Sequence, residues 1–285
     1  MLTEDIRIEV AGVELAAKQW GDSEKPAVIA LHGWLDNAAS YDRLAPYLAD
    51  YRVIALDFAG HGYSGYRPSG VRYHMLDNVD DVIGLADALD LDQFILMGHS
   101  MGAGIATYTA ASFPDRVTKL VLIEGIGTIT APPSEAPKVL KTSVEEMKKA
   151  GAKRKPIYEA REEAIEARAK AIGGISVDAS TILCSRGLEK VENGYTWRSD
   201  TRLTMTSIFR MTDDLVQGFL EALTMPVLLI RGEQSFVART NTMQERAAHV
   251  PDCQIVSAPG NHHLHLEAES YEAVAIEVKQ FLDKR

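Results

Sequence analysis

Short apolar runs alternate with amphipathic stretches along most of this chain. Two alternating segments, residues 4–10 and Val13–Trp20, flank Ala11-Gly12 and predict an opening β-hairpin. Six runs rich in Val, Ile and Leu predict buried strands: Ala27–Leu31, Arg52–Asp57, 94–97, Val117–Ile123, 226–230 and 254–257. Helical spacing of apolar residues predicts helices over 39–49, 73–89, 102–112 and 268–283. This alternation is typical of a mostly parallel sheet covered by helices on both faces, so we predict an α/β fold.

One long stretch interrupts the rhythm between two predicted sheet strands. It opens with Pro132-Pro133, continues through Lys- and Glu-rich helical sequence over 134–171, and has no run of buried-strand type. We therefore interpret residues 127–221 as a helical cap inserted into a core made of 1–126 and 222–285. Open α/β sheets bind ligands at the carboxyl ends of their strands, so a cap there would cover the site. A surface insertion without a role in binding is the alternative.

Composition and charge restrict the classes of function. The chain has 285 residues and a formal net charge of -10, which argues against a nucleic-acid partner because phosphate binding needs a basic surface. No apolar run approaches the length of a membrane span. Two cysteines, Cys184 and Cys253, and an acidic start without a signal-peptide pattern favour a reduced, cytoplasmic location. A homodimer stays open.

The strongest chemical signal is Gly98-His99-Ser100-Met101-Gly102, directly after a predicted strand and before a predicted helix. This is the sequence form of a nucleophile elbow, in which a serine is exposed on a tight strand-to-helix turn. The flanking glycines allow the close backbone approach that the turn requires. The helix that follows presents free N–H groups to a developing oxyanion. The motif therefore predicts that Ser100 is a nucleophile.

Four motifs occur in the order found in the α/β-hydrolase superfamily. Listed in chain order, they are Leu31-His32-Gly33-Trp34, Leu56-Asp57-Phe58-Ala59-Gly60-His61-Gly62-Tyr63-Ser64, the Ser100 elbow, and Gly260-Asn261-His262-His263-Leu264-His265-Leu266-Glu267. The chain most resembles the capped, single-domain enzymes of the serine hydrolase-like branch. The resemblance covers residues from about 10 to 127 and 222 to 285. In the cap it extends only to the presence of a similar kind of insertion.

The resemblance implies the partners of Ser100. The family places its general base after the last strand, and the register favours His262 over His263, with His265 as a structural residue. The amides of Met101 and Trp34 would form the oxyanion hole. Asp57 and His99 are interpreted as scaffold residues.

The third member of the triad departs from the commonest pattern. Ser235 stands where the family usually has its aspartate, and a serine cannot take that role. Some members carry the acid at the end of the strand after the elbow helix, which selects Glu124, with Glu233 next. A carboxylate beside the histidine fixes its tautomer and stabilises the imidazolium.

These residues predict a cofactor-independent serine hydrolase, a carboxylesterase in type, acting on a small-molecule acyl substrate. No cofactor and no metal is expected, since the three neighbouring histidines lack partners at zinc-site spacing. The serine at the elbow argues against dehalogenase and epoxide hydrolase chemistry, which need a carboxylate there. Carbon–carbon bond hydrolysis, perhydrolysis and a non-catalytic ligand-binding role stay open.

Overall fold

A computed structural model describes residues 3–171, 173–237 and 241–284 of the chain, so the first two residues of the acidic start lie outside it. Ten strands are present in this part. They are β1 (Thr3–Val10), β2 (Val13–Trp20), β3 (Ala27–Leu31), β4 (Arg52–Asp57), β5 (Phe94–His99), β6 (Val117–Ile123), β7 (Leu188–Val191), β8 (Gly194–Trp197), β9 (Val227–Gly232) and β10 (Cys253–Ala258). The predicted hairpin and all six predicted buried strands are confirmed within two residues at each end.

Eight of these strands form one sheet in the order β1-β2-β4-β3-β5-β6-β9-β10. The opening hairpin and the β2–β4 pair are antiparallel, and every later pair is parallel. Separate hydrophobic clusters lie on the two faces of the sheet. The predicted α/β fold, a mostly parallel sheet flanked by helices, is confirmed. Because the parallel strands share a direction, the carboxyl ends of β3, β5, β6 and β9 meet at one edge.

The helices of the described part are α1 (Asp77–Ala88), α2 (Met101–Ser112), α3 (Ala136–Lys148), α4 (Arg161–Ala169), α5 (Val177–Gly187), α6 (Asp213–Glu221), α7 (Thr242–Ala247) and α8 (Tyr271–Asp283). None of the helices in the described ranges is long and apolar enough to cross a membrane.

The helix predicted over 39–49 is wrong. Two single 3₁₀ turns, Ala38–Tyr41 and Ala45–Tyr47, occupy this stretch. Pro46 has no N–H to donate and disfavours helical geometry at the residue before it, so a continuous helix cannot form. The apolar residues still pack against the sheet, which explains the misleading spacing.

Two other helices begin later than predicted. α1 begins at Asp77 rather than Tyr73, because Tyr73 lies in a loop where its hydroxyl donates to Asp200 at 2.9 Å. α8 begins at Tyr271 rather than Ala268, after a series of turns.

The segment between β6 and β9 contains α3 to α6 and the small β7–β8 hairpin. The hairpin was not predicted, since its strands have four residues each and each has only one buried residue. The helical stretch predicted over 134–171 is divided into α3 and α4 by an irregular connection. α6 packs with the core, because Val216 and Leu220 belong to the hydrophobic cluster that includes α2. Met211, just before α6, belongs to the same cluster. The division of the chain at 127 and 221 stays a prediction.

Candidate active site

Ser100 lies on the tight turn between β5 and α2. Its φ of 52° is in the left-handed region, which a non-glycine residue adopts only where its surroundings enforce it. The neighbouring glycines allow the close backbone packing that holds Ser100 in this conformation. A Cβ on Gly98 would lie 2.3 Å from the carbonyl oxygen of Gly102, and a Cβ on Gly102 would lie 2.1 Å from that of Leu31. The close approach of β3, β5 and α2 therefore requires glycine at both positions.

A chain of hydrogen bonds connects Ser100, His262 and Glu124. The Oγ of Ser100 is 3.0 Å from Nε2 of His262, and Nδ1 of the same ring is 2.9 Å from Oε2 of Glu124. The carboxylate accepts from Nδ1–H, which leaves Nε2 with the lone pair that can accept the serine proton. His262 is 9 % exposed and Glu124 is 2 % exposed. The ring of Phe236 lies 4.9 Å from that of His262, a neighbour that sequence reasoning missed.

The position of Glu124 is fixed by two further donors. Its Oε1 accepts from the backbone N–H of Gly232 at 2.6 Å, and its Oε2 accepts from the hydroxyl of Ser235. Ser235, which stands where an aspartate was expected, thus supports the carboxylate that comes from β6. Glu233, the alternative acid, is exposed and makes no side-chain contact with His262 among the described residues. The structure therefore brings Glu124, and not Glu233, to the histidine.

Trp34 and Met101 are the two residues whose backbone amides the sequence predicts as oxyanion donors. Met101 is the first residue of α2, where the backbone N–H has no partner within the helix. Trp34 follows β3 in a turn closed by the Asp36 N–H and the Gly33 carbonyl at 3.1 Å. The Trp34 indole donates to the carbonyl of Leu203, in the inserted segment, at 2.9 Å.

His32 stabilises the loop after β3, in which Trp34 lies. Burial lowers the pKa of His32 to about 4, so the ring is neutral at physiological pH. Its Nδ1–H donates to the Gly33 carbonyl at 2.7 Å, and its Nε2 accepts from the Phe58 N–H at 3.2 Å. The loop after β3 is therefore fixed to the loop after β4 by one neutral imidazole.

The other histidines predicted near the base have separate partners. The Nε2 of His263 lies 3.2 Å from Oδ2 of Asp36. His265 is in the turns before α8, with Nε2 at 2.7 Å from the hydroxyl of Ser40, in keeping with a structural role. His99 donates from Nε2 to the carbonyl oxygen of His262 at 2.7 Å, so it supports the backbone of the candidate base.

Asp36, His99 and His263 present nitrogen and oxygen atoms that lie within 4.8 Å of one another. This is a donor set that a metal ion can use. The guanidinium of Arg168, however, lies 2.7 Å from Oδ1 of Asp36 and 3.5 Å from Nε2 of His263. That positive charge already compensates the carboxylate and repels a divalent cation, so we assign no metal to the group.

Asp57 is a scaffold residue, as its position on β4 suggests. Its two oxygens accept from the N–H groups of Ala38 and Tyr63 at 2.7 and 2.8 Å, and Oδ2 also accepts from Nε of Arg186 at 2.6 Å. The carboxylate therefore ties the loops after β3 and β4 to α5.

Sequence reasoning missed Asp36, Arg168 and Arg186. Asp36 lies two positions after the end of the Leu31-His32-Gly33-Trp34 motif, and its isolated acidic character in a mostly apolar stretch was the available signal. Arg168 and Arg186 lie in charged helices where nothing in the sequence separates a buried arginine from a solvated one.

Comparison with known proteins places these features in context. The sequence profile of a family described as alpha/beta hydrolase fold matches residues 26–269. A serine hydrolase-like protein of Dictyostelium discoideum is 36 % identical over 284 residues, which cover 94 % of this chain and 79 % of the relative. A hypothetical protein of Pseudomonas aeruginosa PAO1 superimposes with a TM-score of 0.94 at 41 % identity, covering 99 % of this chain and 100 % of the other. A thioesterase domain from the curacin biosynthetic pathway superimposes with a TM-score of 0.87 at 25 % identity, covering 98 % of this chain and 100 % of that domain.

Proposed function

Because this chain belongs to the α/β-hydrolase family, and within it to the serine hydrolase-like branch, we propose that it hydrolyses carboxylic esters or related acyl compounds with Ser100 as nucleophile. The observation that carries the proposal is the hydrogen-bond chain from Glu124 through His262 to Ser100, at 2.9 and 3.0 Å. No cofactor or metal takes part in the proposed reaction.

The proposed reaction has two steps. Ser100 Oγ attacks the acyl carbon while Nε2 of His262 takes its proton, and the resulting oxyanion accepts hydrogen bonds from the Trp34 and Met101 amides. His262 then gives the proton to the leaving alcohol, which leaves an acyl-enzyme on Ser100. In the second step His262 removes a proton from water, and the water oxygen attacks the same carbonyl. His262 then gives that proton to Ser100 Oγ as the bond from Oγ to the acyl carbon breaks, which releases the acid and restores the free serine. Glu124 stabilises the imidazolium in both steps and holds its tautomer.

Names of related proteins support hydrolysis of an acyl bond. A protein of Mesorhizobium japonicum, 28 % identical over 278 residues, is a 2-(acetamidomethylene)succinate hydrolase, and the curacin domain is a thioesterase. A serine triad also serves carbon–carbon bond hydrolysis and perhydrolysis. The alternative of a non-catalytic binder was motivated by the missing aspartate at position 235, and the contact between Glu124 and His262 supports the catalytic alternative.

The direct test is covalent labelling with a fluorophosphonate, followed by assays with p-nitrophenyl esters of graded acyl length. We expect stoichiometric labelling of Ser100, ester hydrolysis by the native chain, and a loss of several orders of magnitude in kcat/KM for Ser100→Ala. A folded Ser100→Ala variant that keeps more than about a tenth of the native rate would contradict the assignment.

The acid is tested by a matched pair of variants. Glu124→Gln keeps the shape of the side chain but removes the charge beside His262, so we expect kcat to fall by about 10²–10⁴. Glu233→Gln makes the same chemical change on an exposed side chain, and its kcat should stay within about twofold of the native value. If Glu233→Gln is the more damaging change, the assignment of Glu124 is wrong.

A further inference from the structure

Asp36 joins three parts of the molecule that surround the candidate base. It lies in the loop after β3, two residues beyond Trp34, and is 2 % exposed. Its Oδ1 accepts from Nη2 of Arg168 on α4 at 2.7 Å. Its Oδ2 lies 3.2 Å from Nε2 of His263, the residue next to His262. One buried carboxylate therefore contacts both the inserted segment and the histidine loop.

The charge on this carboxylate is maintained by its surroundings. Burial alone would raise the pKa of Asp36, but His263 and Arg168 together hold it well below its usual range. Asp36 is therefore an anion at neutral pH, and Arg168, whose side chain is 13 % exposed, is its cationic partner. The two charges nearly cancel as long as both are present.

His262 is connected to this pair through His263, which contacts both Asp36 and Arg168. Its ring centroid is 5.4 Å from that of His263 and 5.0 Å from that of His99. Burial lowers the pKa of His99 well below its usual range and that of His265 to about 3, so both are neutral under assay conditions. The charged and titratable groups that face His262 are Glu124, its direct partner, then His263 and, beyond it, Asp36 and Arg168.

We propose that Asp36 and Arg168 are positioning residues whose balanced charges set the ease with which His262 takes up a proton. The inference rests on the proposed function, in which His262 must be neutral before attack and cationic during it. Charges in a buried setting are screened less than charges in water, so a change in either one acts on nearby titratable groups. Removal of either side chain leaves the other one, the Asp36 carboxylate or the Arg168 guanidinium, buried without its counter-charge.

The sign of the effect differs between the two partners. Asp36→Asn leaves the Arg168 cation, which disfavours protonated His262. Arg168→Met leaves the Asp36 anion, which favours it. A variant that carries both changes has no net charge difference from the native pair. A purely structural role would instead make both single variants slower, with no opposite displacement and no recovery in the double variant.

The test is the rate of Ser100 labelling by a fluorophosphonate as a function of pH, which reports the neutral form of His262 without any knowledge of the substrate. We expect the half-maximal pH to fall by several tenths of a unit in Asp36→Asn and to rise by a similar amount in Arg168→Met. The double variant should return close to the native value. Arg67→Met, which breaks a pair of comparable burial with Asp81 on α1, is the matched control and should leave the midpoint unchanged.

The outcomes separate this inference from the proposed function. If the native chain is not labelled at Ser100, the proposed function fails. If it is labelled but the two single variants move the midpoint in the same direction, or not at all, the inference is wrong. Thermal unfolding shows whether each variant folds. Should Asp36→Asn not fold, an unchanged midpoint in folded Arg168→Met overturns the inference by itself.

Discussion

The two halves of the inserted segment are attached to the core in different ways. α4 and α5 are joined to it by buried charge, through the pairs Arg168–Asp36 and Arg186–Asp57. The Asn37 side chain adds a hydrogen bond to the carbonyl of Leu183 at 2.9 Å. α3 lacks such attachment. Ser143 is its one buried residue, and Arg72 reaches the Ser143 carbonyl at a long 3.4 Å.

The surface of the α3 half is also less closely packed than that of the α4–α5 half. Between α3 and the stretch 206–210 lies a cavity of about 340 Å³, lined by Thr130, Ala131, Glu135, Lys138, Val139, Thr142, Thr206 and Arg210. Large apolar side chains of the same two segments are exposed, such as Leu140 at 47 % and Phe209 at 58 %. A volume of this size is within the range of ligand pockets. The α4–α5 half therefore supplies Arg168, which contacts His263, whereas the α3 half has exposed apolar side chains and a cavity. If that cavity takes a variable part of the substrate, changes beside it should alter substrate preference.

The largest expected effect comes from breaking the attachment of α5. Arg186→Met leaves the fully buried Asp57 carboxylate without its cation, so we expect the free energy of unfolding to fall by about 3–5 kcal/mol. The measurement is urea-induced unfolding. Lys141→Met on α3 removes an exposed cation that is 3.9 Å from Glu145 and should change the stability by less than about 0.5 kcal/mol. Equal losses in the two variants would remove the distinction between the halves.

Acid should destabilise the core rather than the inserted segment through its histidines, because residues 127–221 contain none. Burial lowers the pKa of His32 to about 4 and the pKa values of His61 and His265 to about 3, each from 6.5. The unfolded chain therefore binds protons below about pH 6.5 that the folded chain does not, and stability is lost as the pH falls from 6.5 towards 4. We expect at least about 2 kcal/mol of lost stability per pH unit near pH 5.

The slope is measured by urea unfolding at a series of pH values. His265→Gln removes one of these titrating groups and should make the slope shallower by about 1.4 kcal/mol per pH unit. His249→Gln is the control, since His249 is exposed. Stability that is flat between pH 7 and 4.5 would contradict the burial of neutral histidines in the core.

The contrast also explains what the sequence could predict. The sheet was predictable because strand residues buried on both faces must be apolar, as Ala27–Leu31 and residues 120–123 are. The position of Ser100 was predictable because only glycine fits at Gly98 and Gly102. The choice of Glu124 followed from Ser235, since a serine in the usual acid position implies a carboxylate elsewhere.

Long-range pairs of charges were not predictable. Arg168 and Asp36 are 132 residues apart, and Arg186 and Asp57 are 129 apart. No local pattern indicates which arginine of a charged helix turns inward, because the partner is supplied by a distant loop. The failed helix over 39–49 has a related cause, since burial against the sheet gave helical spacing to a stretch that Pro46 keeps from being helical.

The smallest expected effect concerns substrate preference in the α3 half. Leu140→Ala and Phe209→Ala remove exposed apolar area near the cavity, so we expect kcat/KM for a long-chain p-nitrophenyl ester to fall about three- to tenfold relative to p-nitrophenyl acetate. Stability should change little, since neither side chain is buried. Val177→Ala removes an apolar side chain that is 58 % exposed on α5, in the α4–α5 half. It should leave the ratio of the two kcat/KM values unchanged. If all three variants alter the two esters equally, the α3 half does not contact the acyl chain, and the cavity beside it has no part in choosing the substrate.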